Sequence, residues 1–389
     1  MIVRTLALTI GSLCLHFATP ARAEVPPPTR IDAAVAQLMR DTGARGIAVA
    51  VVDDGRVAYV QAYGDRNAAG DPLTPDTVMY GASLTKTVFA YATLQLVDQG
   101  AVDLDRPISA ILPDLPSMYD EHIADFWSDW RGLADDARWR AITPRHSLTH
   151  SAGFANFYWD EPDGKIRIHF DPGTRYAYSG DGLMMLQFML EEGLGRDVGR
   201  DLQTGVFDQL GMTNTSLKWR PAFASNLADG WTAEGAVEPH DERSKVRAAG
   251  SMDTTITDMG RFTAALIRGD GLSAASRSEM VRPQLPIVTA TQFRTIQPPL
   301  PPERRRADLS AGLGVVTFTG PQGPGFFKGG HNDSTGNTLV CLEHGRRCVV
   351  ILSNDVRSEK GFGALVSLVL GETGVPYDWE YGFTPDPTN

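Results

Sequence analysis

Ser83 and Lys86 stand three residues apart in the stretch Tyr80-Gly81-Ala82-Ser83-Leu84-Thr85-Lys86-Thr87. On a helix those positions share a face, about one turn apart. A lysine buried there tends to lose its proton, because burial disfavours the ammonium form. The resulting amine can activate the serine hydroxyl, a weak nucleophile by itself. The residues that follow predict a buried helix: Leu84, Val88, Phe89, Leu94, Leu96 and Val97 are apolar nearly all round. Gly100 is a fitting stop. A serine in the first turn also sits at the positive end of the helix dipole, which favours anionic intermediates. Taken alone, the pair also fits a solvated serine and lysine on a surface helix.

Two further stretches narrow the choice. Pro172-Gly173-Thr174-Arg175-Tyr176-Ala177-Tyr178-Ser179-Gly180 places Tyr178 after a Pro-Gly turn with small neighbours, which lets a phenol project into a cleft. Alone it also fits a tyrosine packed under a turn. Phe326-Phe327-Lys328-Gly329-Gly330-His331 ends a strand-like run in a lysine and two glycines, where a ligand can approach the backbone closely. Alone it also fits a strand that ends in a glycine turn.

Jointly the three stretches resemble the serine hydrolases that include class C β-lactamases, D-alanyl-D-alanine carboxypeptidases and family VIII carboxylesterases. That family carries Ser-x-x-Lys, then Tyr-x-Asn, then Lys-Thr-Gly or His-x-Gly. Ser83-Leu84-Thr85-Lys86 matches the first in full, Tyr178-Ser179-Gly180 the second at its tyrosine, and Lys328-Gly329-Gly330 the third at its ends. Ser147-Leu148-Thr149-His150-Ser151-Ala152-Gly153-Phe154 looks like the family's Leu-Thr-His-Thr-Ser-Gly-Leu segment, and Ser353-Asn354 like the close of its last sheet strand. Counted back from Asn354, the family's lysine falls on Lys328 without a gap.

The resemblance implies acyl transfer. Ser83 attacks a carbonyl, Lys86 and Tyr178 move its proton, Lys328 supports them, and water releases the acyl group. An unperturbed phenol titrates at about 10; the nearby Lys86 and Lys328 are expected to lower it by favouring phenolate. The oxyanion donors implied are the backbone N–H groups of Ser83 and His331, with Gly330 beside them. The His331 side chain is a further candidate, able to assist or replace Lys328. Gly180 stands where the family's asparagine contacts the substrate amide; Asp181 is the neighbour placed to cover the loss. The substrate classes implied are esters, D-amino-acid peptides and β-lactams, with no cofactor. A different class of answer is a binding or assembly module that keeps this fold with weak or no turnover.

These residues must be positioned by elements at both ends of the chain. Ile31, Val35, Leu38 and Met39 predict a first helix ended by Gly43. Residues 46–52 and 56–63 predict a hairpin about Asp53-Asp54-Gly55. Leu183 to Leu194 reads as a helix, and Thr255-Ile256-Thr257-Asp258 as a capping box before another that stops at Gly269. Runs at 313–318, 326–328, 338–342 and 348–352 predict strands, and 362–370 a last packed helix. The predicted fold is α/β (α+β): one antiparallel sheet built from both chain ends, flanked by helices, with an inserted mainly helical region. The sheet part covers about 24–100 and 246–389, the helical part about 101–245, within one domain. The segment at 119–139, with Trp127, Trp130 and Trp139, reads as an insertion: a lid, an acyl pocket or a helical surface patch. The long Pro- and Arg-rich stretch at 270–309 is of the length usually kept for function. His146 and His150 have helical metal-ligand spacing but no evident third ligand, so no metal is expected.

Composition sets the setting. The chain has 389 residues, 42% hydrophobic and 21% charged, enough for a large core. Residues 1–23 read as a secretory signal: Arg4, an apolar run from Thr5 to Phe17, then Ala21-Arg22-Ala23. Its removal leaves 34 basic against 47 acidic residues, a net charge of −13. That charge argues against nucleic acid and anionic membranes as partners. The expectation is a periplasmic or secreted protein without stable membrane insertion. An oxidising compartment permits a bridge between Cys341 and Cys348, which a two-residue His344-Gly345 turn sets directly opposite each other.

Overall fold

The computed structural model describes residues 25–118 and 128–382. The signal stretch, Trp127 and most of the first half of the 119–139 segment lie outside the described residues.

Helix α1 (Pro28–Thr42) has proline in its first turn and Gly43 at φ 71 as its left-handed stop. Strands β1 (Gly46–Asp53) and β2 (Arg56–Gly64) form the expected hairpin. Asp54 at φ 48 and Gly55 at φ 71 give the turn positive φ at both central positions, which matches the twist of paired strands. Helix α2 (Leu84–Asp98) carries the Ser-Lys pair, and every residue from Leu84 to Leu94 is buried. Helix α3 (Gly180–Phe188) follows Tyr178, and α4 (Ile256–Arg268) starts where Thr255 Oγ1 accepts the Asp258 N–H at 3.1 Å.

The remaining strands of the main sheet come late in the chain. They are β3 (Leu285–Pro286), β4 (Leu309–Ala311), β5 (Val316–Gly320), β6 (Gly323–His331), β7 (Gly336–Leu342) and β8 (Arg347–Ser353). Helices α5 (Phe362–Leu370) and α6 (Tyr377–Tyr381) close the described chain. Among the described residues the main sheet has eight strands in the order β2-β1-β8-β7-β6-β5-β4-β3. All of its pairings are antiparallel. The join between the chain ends lies at β1 and β8, with Ile47 opposite Ser353 and Val52 opposite Cys348.

Alternation along the strands divides the core in two. Ala48, Ala50 and Val52 face the cluster that holds α2, α3 and α4. Ile47, Val49 and Val51 face a second cluster with α1, α5 and Trp379. Central strands covered on both faces read as continuous apolar runs, which is why their sequence shows little alternation.

The structure corrects several expectations. The strand read at 313–318 begins only at Val316, in β5, and residues 313–315 belong to the break between β4 and β5. The helix read from Leu183 starts at Gly180 and ends in a π-helical turn, Met189–Gly193. Trp130 and Trp139 are 0% and 2% exposed and belong to the core, neither to a lid nor to a surface patch. The helix that carries His146 is Pro144–Leu148, and His150 lies beyond it at φ 54, so the two do not share a helical face. The 270–309 stretch contains a helix at Ala274–Val281, then the two residues of β3, then irregular chain tied to α6. Gln292 N–H donates to Trp379 O at 2.9 Å, and Trp379 Nε1–H to Thr289 Oγ1 at 3.2 Å.

Cys341 on β7 and Cys348 on β8 are joined in a disulfide, with Cα atoms 4.1 Å apart. His344 and Gly345 form the turn, closed by Arg346 N–H to Glu343 O at 3.1 Å. The bridge closes a short loop, so its stabilisation should be about 2–3 kcal/mol at most. Protein without residues 1–24 should show no free thiol when denatured unreduced, and reduction should lower Tm by a few degrees. Two thiols before reduction would contradict the pairing.

Candidate active site

The α2 N-terminus, the Tyr178 loop and the end of β6 meet around Ser83. Ser83 caps α2 directly after Ala82, which is buried and held at φ 45. A non-glycine residue in the left-handed region stores backbone strain, and here it immediately precedes the hydroxyl. Lys86 Nζ lies 2.9 Å from Ser83 Oγ and also donates to Ala249 O. Tyr178 donates its phenol proton to Ser83 Oγ at 2.7 Å. Lys328 stands behind Tyr178, with Nζ 3.5 Å from the phenol oxygen and a second bond to Gly329 O. Both amines also face the Tyr178 ring, at 5.0 and 5.1 Å from its centroid.

Burial sets the charges. Lys86, Tyr178 and Lys328 are 1%, 2% and 3% exposed. Desolvation, aided by Lys328, drives the Lys86 ammonium well below its ordinary value, so the neutral amine is favoured. Desolvation also pulls Lys328 down to about 8, while the Glu380 carboxylate opposes the shift. The phenol of Tyr178 is raised by burial, not lowered. That corrects the expectation of a lysine-stabilised phenolate. Burial penalises the phenolate more than the neighbouring amines favour it, and the same burial drives Lys86 toward its neutral form.

His150 supports the tyrosine loop. Its Nδ1 accepts Ser179 N–H at 3.1 Å, and its ring lies 4.5 Å from the Tyr178 ring. Burial and the two lysines keep it neutral.

Across the cleft, Gly330 of β6 passes over the helix start. A Cβ there would lie 2.9 Å from Leu84 N and 3.0 Å from Ser83 N. Only glycine leaves room for an oxygen above the Ser83 N–H, which has no backbone acceptor among the described residues. His331 follows at the strand end. Its Nδ1 is 3.0 Å from Glu359 Oε1, and although burial opposes charge on it, that carboxylate raises the imidazole above its ordinary value.

The cleft encloses about 870 Å³ and is lined by Ser83, Lys86, Asn156, Phe157, Tyr178 and Phe293, among others. Gly180 is not among its lining residues, which corrects the placing of Gly180 at the substrate; Lys328 likewise sits one layer back. Asp181 is also turned away. Its Oδ1 is 2.5 Å from Ser128 Oγ, and burial pushes the carboxyl up to about 7. Sequence reasoning missed Asn156, Phe293, Glu359 and Glu380. Phe293 comes from the irregular 270–309 stretch and sits between Tyr178 and His331, with ring centroids 5.6 and 4.6 Å away. No spacing rule points to it; the length of that stretch was the one available signal.

A serine held at a helix start between a buried lysine and a buried tyrosine, on this sheet, defines the class of serine hydrolases with a β-lactamase-like fold. The family model described as Beta-lactamase matches residues 31–369, and the chain belongs to that family. It is 30% identical over 201 residues to a lovastatin esterase of Penicillium rubens, covering 45% of this chain and 49% of that protein. It is 31% identical over 218 residues to a D-aminopeptidase of Gluconobacter oxydans, covering 54% of this chain and 39% of that protein. The chain thus spans half or less of the length of these relatives. Its fold is similar to that of the D-alanine carboxypeptidase AmpC from Burkholderia cenocepacia, with a TM-score of 0.69 at 18% identity, over 88% of this chain and 98% of that one.

Lys328 gives a stability prediction with a definite sign. Its folded value of about 8 lies below the unfolded lysine value of about 10.4. Between those values the unfolded chain holds more protons, so stability rises with pH; below about 8 the burial cost is fully present. Lys328→Met should therefore gain roughly 1–3 kcal/mol at pH 7. The gain should shrink as pH climbs toward 10. Denaturant melts of both proteins at pH 7 and 9.5 check this, and a variant less stable at pH 7 contradicts it.

Proposed function

We propose that this chain is an exported serine hydrolase that cleaves an ester or amide bond through an acyl-Ser83 intermediate. The convergence of Lys86 Nζ and the Tyr178 phenol on Ser83 Oγ, at 2.9 and 2.7 Å, is the observation that carries this reading. Neutral Lys86 takes the Ser83 proton as Oγ bonds to the substrate carbonyl carbon. The developing oxyanion is met by the Ser83 and His331 N–H groups. Tyr178, still protonated, passes its proton to the departing alkoxide or amine and is reprotonated from Lys86. Water then enters along the same path in reverse and releases the acid.

The names of the relatives, an esterase and a D-aminopeptidase, fit an ester or amide substrate. Aromatic walls from Phe157, Trp159 and Phe293 favour an apolar acyl group. The buried carboxyls of Glu359 and Glu380 lie on the His331 side. They disfavour a free carboxylate there, which places esters and neutral amides ahead of β-lactams. The outer setting inferred is the periplasm or the exterior, on the signal-like residues 1–23. No helix among the described residues is long and apolar enough to cross a membrane.

Mass spectrometry after mixing with a p-nitrophenyl ester or a penicillin reads the central step. A transient acyl mass on Ser83 is expected with the ester, and none with Ser83→Ala, whose hydrolysis should fall by at least about 10³-fold. Ser83→Ala retaining half the activity would exclude the reading. Lys86→Arg separates base from charge, because arginine stays protonated; its turnover should fall about 10²–10⁴-fold. Unchanged turnover in Lys86→Arg would take the base role from Lys86.

A further inference from the structure

Gly180 has no side chain, and the structure leaves no room for one. A Cβ on Gly180 would lie 2.3 Å from Phe157 Cε1 and 2.5 Å from Cζ. That ring is in turn stacked on Trp159, with centroids 4.3 Å apart. A carboxamide does reach this wall of the cleft, from the loop that carries Phe157. Asn156 Oδ1 accepts Gly180 N–H at 3.0 Å, its backbone O accepts Asp181 N–H at 2.9 Å, and its own N–H donates to Thr295 Oγ1 at 3.1 Å. Three bonds to two other segments fix the residue.

The amide orientation follows from chemistry. Gly180 N–H is a donor and must meet the oxygen, so the NH₂ group is the other end. Among the described residues Asn156 Nδ2 has no hydrogen-bond partner, and Asn156 lines the cleft together with Ser83. Two preorganised donors in a cleft are suited to holding a carbonyl oxygen of a ligand.

We propose that Asn156 is a specificity residue whose Nδ2 donates to a carbonyl in the acyl half of the substrate. The substrates favoured are then acyl groups that carry an amide next to the scissile carbonyl. This inference rests on the acyl-Ser83 reading and adds to it. Phe157 and Asn156 act as one device: the ring occupies the space over Gly180, and the preceding residue supplies the donor from outside the helix.

The test compares two p-nitrophenyl esters of equal chain length, N-acetylglycinate and pentanoate. Replacing the amide by methylenes should lower kcat/KM in the wild-type protein more than in Asn156→Asp. The aspartate keeps an acceptor for Gly180 N–H but has no N–H to donate. The ratio of kcat/KM for N-acetylglycinate over pentanoate should fall about tenfold in Asn156→Asp, the scale of one hydrogen bond. Should that variant fail to fold, Asn156→Ser is read in the same way, since its shorter side chain withdraws the donor from the cleft. An equal loss on both esters, or an unmoved ratio, overturns the role of Asn156 while the Ser83 reading stands. Absence of any acyl-Ser83 mass in the wild-type protein overturns both.

Discussion

The dry enclosure of Lys86 is the constraint on which the rest of the site depends. An amine at 1% exposure, with a second lysine behind the neighbouring phenol, is driven well below the ordinary lysine value, toward its neutral form. Its helix tolerates this because the surrounding core is extensive and because Nζ has Ala249 O and Ser83 Oγ as partners. The cost is a destabilising local arrangement, maintained by packing elsewhere. Strain at Ala82 and burial of Lys328 belong to the same arrangement. All three lie within the space needed to make one hydroxyl nucleophilic.

The sheet provides that packing and also brings the parts together. Ser83 follows the first hairpin, Tyr178 belongs to the middle of the chain, and Lys328 comes near its end. Only the pairing of β1 with β8 closes the ends onto one another, and with that closure β6 delivers Gly330 against the start of α2. The disulfide between β7 and β8 lies in the same strand group and fixes the edge of the turn that follows β7. Tyr176 and Tyr178 reach the second cluster through the sheet's far end, with Tyr176 donating to Gln292 at 3.0 Å. The irregular stretch before β4 is thus held by the same residues that hold the tyrosine loop.

Ser83, Lys86 and Tyr178 were legible because their spacing reports local geometry: one helical turn, and one turn after Pro-Gly. Lys328 was legible through the family resemblance, since counting back from Asn354 puts the family's lysine there without a gap; in the structure it stands opposite Leu339 of β7. The hairpin, α1, α2, α4 and α5 announced themselves through apolar period and glycine stops. What remained hidden was set through space. Nothing in the chain says that Phe157 would lie over Gly180, so the loss at Gly180 was assigned to Asp181, whose side chain instead turns to Ser128. Nothing says that Phe293 would cross to His331. The charge state of Tyr178 was misjudged for a related reason: counting two lysines ignores the cost of burying the phenolate itself, and the same burial drives Lys86 toward its neutral form. The start of β5 was misplaced because Leu313 and Val315 continue its apolar run into the break, and β4 is too short to show a pattern of its own.

The central claim is that Lys86 is neutral at working pH because it is buried. The most direct measurement is an NMR titration of the free protein carrying ¹³C-labelled lysine side chains, with Lys86 assigned through Lys86→Arg. A Lys86 Cε signal already in its deprotonated position at pH 7, and still there on raising the pH to 10, is the predicted result. A Lys86 that titrates near the ordinary lysine value of about 10.4 would contradict it.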